Sequence, residues 1–185
     1  MNKDRLILIV TIVLISLALF FFIDKESIGG PLNWGEVNPN VNSETEIKGA
    51  EIAGQAPDFS LRNLEGQEVS LSDYRGKIVF LNFWVSWCED CELEMRHFEK
   101  IARKYDQVEV LSINVREDRQ AVEKFLAEKD LDLNILLDED GEIGLDYVVG
   151  KLPTSFVIDS RGQVANIITR PMDYNEILRE IEILK

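Results

Sequence analysis

A mixed α/β domain, set behind an apolar N-terminal segment and a polar spacer, is the architecture that this 185-residue sequence predicts. Three observations carry the prediction. KIVFLNFW, residues 77–84, is a strand-length, almost wholly apolar run, as expected of a strand buried on both faces. Strand-like and helix-like periodicities then alternate along the chain. The C-terminus closes on two turn-linked strands and a helix.

Taken in order, the first element is LILIVTIVLISLALFFFI, Leu6 to Ile23, which carries no charge and only Thr11 and Ser16 as polar side chains. Eighteen helical residues at about 1.5 Å each span roughly 27 Å, close to the hydrocarbon core of a bilayer. Lys3 and Arg5 precede the segment, so the positive-inside bias keeps residues 1–5 in the cytoplasm and sends everything after Ile23 outside. A cleaved signal peptide is the competing reading. The run exceeds the usual h-region and no A-x-A-like site follows Phe22, which favours an uncleaved signal-anchor over residues 6–23 and a single-pass membrane protein. Residues 24–56, rich in Gly, Asn, Glu and Pro, read as a loosely ordered stalk, and the folded domain is expected over 57–185.

Within that domain, DFSLRNLEGQEVSL gives two alternating runs around Glu65-Gly66, a hairpin. After the buried strand, Glu89 to Tyr105 reads as a helix whose apolar face is Leu93, Phe98, Ile101 and Tyr105. VEVLSINV (Val108–Val115) is a second buried strand, and DRQAVEKFLAEKD is a helix with Asp118 as N-cap. LNILLD is a short strand, with a helical stretch at Gly141–Tyr147 after it. TSFVID and QVANIIT form strands split by the Ser160-Arg161-Gly162 turn, and Asp173 to Leu184 is the closing helix. Crossovers between parallel strands should be right-handed.

The formal charge is −14, spread without blocks of one sign. Nucleic acid and anionic headgroups both attract clustered Lys and Arg, so neither is an expected partner.

The chain's two cysteines, Cys88 and Cys91, lie in FWVSWCEDCELE. Zinc needs four ligands, which two cysteines and the lone His97 do not supply, so no metal is expected and His97 reads as a surface or half-buried helix residue. Haem attachment needs C-x-x-C-H, and Glu92 follows Cys91. A disulfide closing so short a loop removes little chain entropy, so a purely structural staple would add little. Redox chemistry remains. C-x-x-C between a buried strand and a helix exposes the first sulfur at the helix N-terminus and holds the second beneath it, making Cys88 the attacking thiolate and Cys91 the resolving thiol. The helix N-terminus lowers the Cys88 pKa, whereas Glu89, Asp90, Glu92 and Glu94 raise it; if the acids prevail, the couple is a reductant. Glu94, three residues after Cys91 on the same helical face, is placed to shuttle the second thiol's proton, with one more solvated helix acid as the plain alternative.

FWVSWCEDC, preceded by APDFSLRNLEGQEVSLSDYRGKIVFLN and followed by GKLPTSFVIDSRG, resembles the thioredoxin-like family over residues 56–185. More narrowly it resembles the membrane-anchored ResA/TlpA-type thiol–disulfide oxidoreductases of bacteria. The resemblance implies a thioredoxin fold with an N-terminal β-hairpin and a central insertion, and no cofactor beyond the Cys88–Cys91 disulfide. It implies that Pro153 is a cis-proline abutting that disulfide and that Leu152 offers backbone hydrogen bonds to an extended substrate. Trp84 and Trp87 match aromatics that flank the active site, with core packing the preferred reading for Trp84. Trp87, Glu89 and Asp90 complete the expected substrate-binding surface, and Glu94 matches an acid of the ResA-like subgroup. Two positions depart from the pattern. Asp90 stands where the family usually has proline, which leaves the helix start intact but adds charge beside the sulfurs. Asn82 occupies a strand position where cytoplasmic thioredoxins bury an acid, so any such task falls to Glu94.

The implied activity is reduction of protein disulfides outside the cytoplasm, with the C-x-x-C-H cysteines of apocytochrome c as the expected substrate in cytochrome c maturation. Lacking a second cysteine pair, the chain must take electrons from another protein, an integral membrane thiol donor. The alternatives are a reductase for another exported target such as spore-envelope proteins, a thiol peroxidase, and a non-catalytic binding module. A peroxidase requires P-x-x-x-[ST]-x-x-C, and Leu81 and Val85 stand at those positions. An intact cysteine pair argues against the binding module.

Overall fold

The computed structural model describes residues 49–185. The apolar segment 6–23 and most of the expected stalk lie outside the described residues. Among the described residues no helix is long and apolar enough to cross a membrane.

A seven-stranded mixed sheet organises the domain, in the order β2-β1-β5-β4-β3-β6-β7. The N-terminal hairpin is β1 (Ser60–Asn63) and β2 (Glu68–Ser70), antiparallel. Its turn is closed by the Asn63 carboxamide oxygen, which accepts the Glu65 and Gln67 N–H groups at 3.1 and 2.8 Å. The central strands are β3 (Ile78–Trp84) and β4 (Val108–Val115), parallel to each other. Every residue of β3 is buried, as its unbroken apolar character requires. Helix α1 (Glu89–Lys104) makes the crossover between them. The segment from β4 to β6 supplies helix α2 (Arg119–Lys129), strand β5 (Asn134–Asp138) parallel to β4, and the short helix α3 (Glu142–Asp146); this is the central insertion. Asp118 caps α2 by accepting the Ala121 N–H at 2.8 Å. Strands β6 (Thr154–Ile158) and β7 (Val164–Ile168) run antiparallel, β6 pairing with β3. Helix α4 (Tyr174–Ile183) ends the chain behind a capping box of Asp173 and Glu176. The arrangement is the expected thioredoxin-like α/β fold.

Strand periodicity sorts β3 into two cores. Ile78 and Phe80 face α1 and α4, packing with Phe98, Ile101, Ile177 and Ile181. Val79, Leu81 and Phe83 face the other way, into a cluster centred on Tyr147 and Phe156. Tyr147 lies with its ring centroid 5.0 Å from Phe156 and 5.5 Å from Phe83, and its hydroxyl donates to the Pro57 carbonyl at 2.6 Å. Asn82 belongs by alternation to the α1 side, so the sheet aims its amide at that helix.

Two expectations require correction. The folded domain begins before residue 57. Ala53 N–H donates to the Val164 carbonyl at 2.7 Å, Val164 N–H returns to the Gly54 carbonyl at 2.9 Å, and Ala56 N–H reaches the Gly162 carbonyl at 3.0 Å. The end of the expected stalk therefore covers the start of the β7 edge, and Ala50 and Ala56 are buried there. The reason is backbone pairing, which a composition rich in Gly and Glu does not reveal. The second correction concerns α1. Its buried stripe is Cys91, Glu94, Met95, Phe98 and Ile101, and Leu93 is 60% exposed. Spacing by three and four from Cys91 selects position 94, so an acid, and not Leu93, lies on the buried face.

Candidate active site

The two sulfurs sit where β3 hands over to α1. Cys88 is the N-cap of α1, and its Sγ accepts the Cys91 N–H at 3.2 Å. Cys88 and Cys91 are joined in a disulfide with S–S 2.03 Å. Cys88 is half-buried at the surface, whereas Cys91 is fully buried among Trp84, Met95 and Phe125. The attacker and resolver positions expected from the motif are thus inequivalent in access, Cys88 alone being reachable from solvent.

One turn along the buried face of α1 from Cys91 lies a polar cluster. Glu94 has no exposed surface. Its Oε2 accepts the Asn82 amide N–H at 2.7 Å, and its Oε1 accepts the Met172 N–H at 3.2 Å and the Ser155 hydroxyl at 3.4 Å. Ser155 lies beside Asn82 in the β3–β6 register, and the Asn82 amide also donates to its Oγ at 3.1 Å. Burial pushes the Glu94 carboxyl up to about 8, against the opposing pull of the Met172, Asn82 and Ser155 hydrogen bonds and the Arg170 charge. Asn82 can serve both protonation states. Its N–H donates to the carboxylate; turned over, its otherwise unpartnered Oδ1 would accept the O–H of the carboxylic acid.

The four acids expected to surround the cysteines are not equivalent. Glu92 is turned toward Lys129 and Arg96, at 2.7 and 3.0 Å, and these cations hold its carboxyl below the usual range. Glu94 is buried, and that burial favours its protonated form. Glu89 and Asp90 are exposed in the first turn, and among the described residues neither has a cation within 4.0 Å. The electrostatic case for a reducing couple therefore rests on two groups rather than four. Asp90 leaves the helix start undisturbed.

Leu152–Pro153 is a cis peptide bond, as expected. Leu152 and Cys88 line one groove of about 480 Å³ together with Trp87 and Leu145. Trp87 is 76% exposed, and Trp84 is fully buried with its ring centroid 5.2 Å from that of Phe125. Trp84 is core; Trp87 is surface.

Three groups in this region were not among the expected site residues. Glu117 accepts the Ser86 N–H and hydroxyl, both at 2.6 Å, and the Asn114 amide at 2.8 Å. It ties the Ser86–Trp87 loop, just ahead of Cys88, to the end of β4. Arg116 and Lys151 line the groove. All three lie in connections after strands or helices, where no hydrophobic period marks a position. Glu117 follows a strand that ends beside another strand carrying C-x-x-C, and parallel pairing of the two is the one signal that could have found it. Among the described residues no group of three or more His, Cys, Asp or Glu could hold a metal ion.

A model of the AhpC/TSA family matches residues 52–167. The thiol-disulfide oxidoreductase ResA of Geobacillus kaustophilus is 43% identical over 146 residues, covering 78% of this chain and 84% of that protein. A ResA of Bacillus cereus is 35% identical over 177 residues, covering 91% of this chain and 90% of that one. The crystal structure of StoA from Bacillus subtilis matches with a TM-score of 0.60 at 28% identity, covering 70% of this chain and 98% of its own. A secreted Mycobacterium tuberculosis disulfide oxidoreductase, described as homologous to E. coli DsbE, matches with a TM-score of 0.62 at 26% identity, covering 68% and 96%.

Proposed function

The chain belongs to the AhpC/TSA family and is a ResA-type thiol–disulfide oxidoreductase of thioredoxin-like fold, and from that premise we propose that it is a membrane-anchored reductant of exported-protein disulfides, apocytochrome c foremost. The observation that supports this reading is the fully buried Glu94, one turn after Cys91 on the same face of α1, whose carboxyl can exchange a proton with the resolving thiol while Cys88 meets solvent. The anchor is the apolar segment 6–23, the catalytic domain lies outside the cytoplasmic membrane, and an integral membrane thiol protein supplies the electrons.

In the reduced form the Cys88 thiolate attacks one sulfur of the substrate disulfide. A Cys88–substrate disulfide forms and the second substrate sulfur leaves as thiolate. Glu94, when ionised, takes the proton from Cys91, and the Cys91 thiolate attacks Cys88 Sγ. The substrate's remaining sulfur leaves as thiolate and the Cys88–Cys91 disulfide closes, two electrons having passed to the substrate. With its pKa near 8, Glu94 is matched to a thiol of ordinary acidity, so neither direction of this transfer is steeply uphill. Trp87, Leu152 and the first-turn acids Glu89 and Asp90 form the surface on which the substrate segment rests, with Pro153 holding Leu152 against the sulfurs.

The test is a trap. Cys91→Ser should accumulate a mixed disulfide through Cys88 with its exported substrate, identifiable by mass spectrometry after non-reducing capture from membranes. Cys88→Ser should capture nothing. A Cys91→Ser chain that captures no protein would refute the reductase reading. Hydrogen peroxide should be consumed at no more than the rate of the Cys88→Ser chain, because Leu81 and Val85, both buried, place no hydroxyl at the peroxidase position.

A further inference from the structure

The groove beside Cys88 differs in charge from the rest of the molecule. The chain carries −14 overall, and Glu89 and Asp90 crowd the outer rim of the site. Yet among the described residues the only charged ones lining the groove are two cations, Arg116 and Lys151. Among the described residues neither has a carboxylate within 4.0 Å. The surface between them is apolar, with Trp87 76% and Leu145 62% exposed.

One wall is also conformationally unusual. Arg116 has φ 60°, in the left-handed region that a side chain adopts only at a cost. Its N–H is fixed to the Asp138 carbonyl at 2.9 Å. Its side chain lies across Gly141, where a Cβ would come within 2.8 Å of Arg116 Cγ. Gly141 thus leaves a shelf for the arginine stem. Backbone strain retained at a residue that lines the cleft is typical of a surface shaped for a ligand rather than for packing.

We propose that this groove selects the sequence flanking the substrate's cysteines. It takes an extended protein segment with an aspartate or glutamate within a few residues of the reacting sulfur, Arg116 and Lys151 holding the carboxylate and Trp87 and Leu145 receiving an apolar neighbour. Charge complementarity identifies the occupant: an acidic residue seated in the groove meets Arg116 and Lys151, a basic one is held off, and Glu89 and Asp90, outside the groove, meet other parts of the segment. The inference rests on the thiol-reductase reading above and adds the chemistry of the preferred target.

The test uses the reduced full-length chain in detergent and synthetic peptides carrying one intramolecular disulfide flanked by Glu, Gln or Lys. Second-order rates of peptide reduction should fall in the order Glu, Gln, Lys, spanning about tenfold at low ionic strength and narrowing with salt. Arg116→Gly relaxes the backbone at φ 60° while removing the cation. It should melt no lower than the parent and lose most of the Glu preference, so the loss cannot be put down to misfolding. Lys151→Glu combined with Arg116→Gly should reverse the order and favour Lys-flanked peptides. Equal rates for all flanks, or a Lys preference in the parent, would overturn the proposal and leave the reductase reading standing. Failure to reduce any peptide would overturn both.

Discussion

Glu94→Gln should leave the oxidised protein less stable than the parent at pH 5 and more stable at pH 9. Glu94 is fully buried, and burial moves its carboxyl from 4.5 to about 8. The sign follows from proton counting. Below pH 4.5 the group is protonated in both states and contributes no slope. Between 4.5 and 8 the unfolded chain has released a proton that the folded chain retains, so stability falls as pH rises, by up to about 1.4 kcal/mol per pH unit. Across the whole window the loss is of order 4–5 kcal/mol. Glutamine cannot titrate and escapes this loss. Its amide N–H₂ meets the Asn82 N–H, however, and either an unpaired buried donor or the loss of the Asn82–Ser155 bond when Asn82 turns over costs about 1–3 kcal/mol. The two stability curves should therefore cross between about pH 5 and 7. Urea unfolding at fixed pH values from 5 to 9 measures both, with the disulfide intact so that neither cysteine titrates. A stability difference that stays constant over this range would refute the assignment of Glu94 as a buried, proton-retaining carboxyl.

Other outcomes follow from the same geometry. Glu117→Ala removes the acceptor shared by Ser86 and Asn114 and should destabilise the protein by about 2–3 kcal/mol, read by thermal melting. Loosening of the Ser86–Trp87 loop should also lower the fluorescence anisotropy of Trp87. Tyr147→Phe strips the hydroxyl from the Pro57 carbonyl and should cost about 1 kcal/mol while speeding proteolysis ahead of residue 57. Trp87→Ala, at a position mostly in solvent, should shift stability by no more than about 0.5 kcal/mol. It should nonetheless lower kcat/KM for protein disulfides severalfold in an insulin-reduction assay.

Every strand and α-helix among the described residues was legible in the sequence, because apolar periodicity and caps such as Asp118 and Asp173 act locally. The candidate site was legible where chemistry has a motif: the Cys88–Cys91 spacing, and Pro153 through the family pattern. Legibility ended where a polar residue occupies an apolar position. Spacing alone offers Leu93 as the buried partner on α1, but Asn82 on β3 and Ser155 on β6 converge on position 94, and only the three-dimensional register makes an acid acceptable there. Glu92 reads in one dimension as another charge pressing on the cysteines, yet it is spoken for by Lys129 from a helix more than thirty residues on. Arg116 and Glu117 sit in a connection whose conformation is set by Gly141 and Asp138 across a tertiary contact. Long-range pairing of polar groups leaves no period to read.

The chain has two cysteines in all, and the one sulfur that solvent reaches belongs to Cys88. Whichever protein recharges this pair and whichever one spends its electrons must therefore call at the same doorway, one after the other. Steady-state kinetics should be of the double-displacement kind, with parallel reciprocal plots and with each visitor inhibiting the other at high concentration. Such a shared doorway also sets a ceiling on affinity, since a caller held too long in either half-cycle shuts out the next.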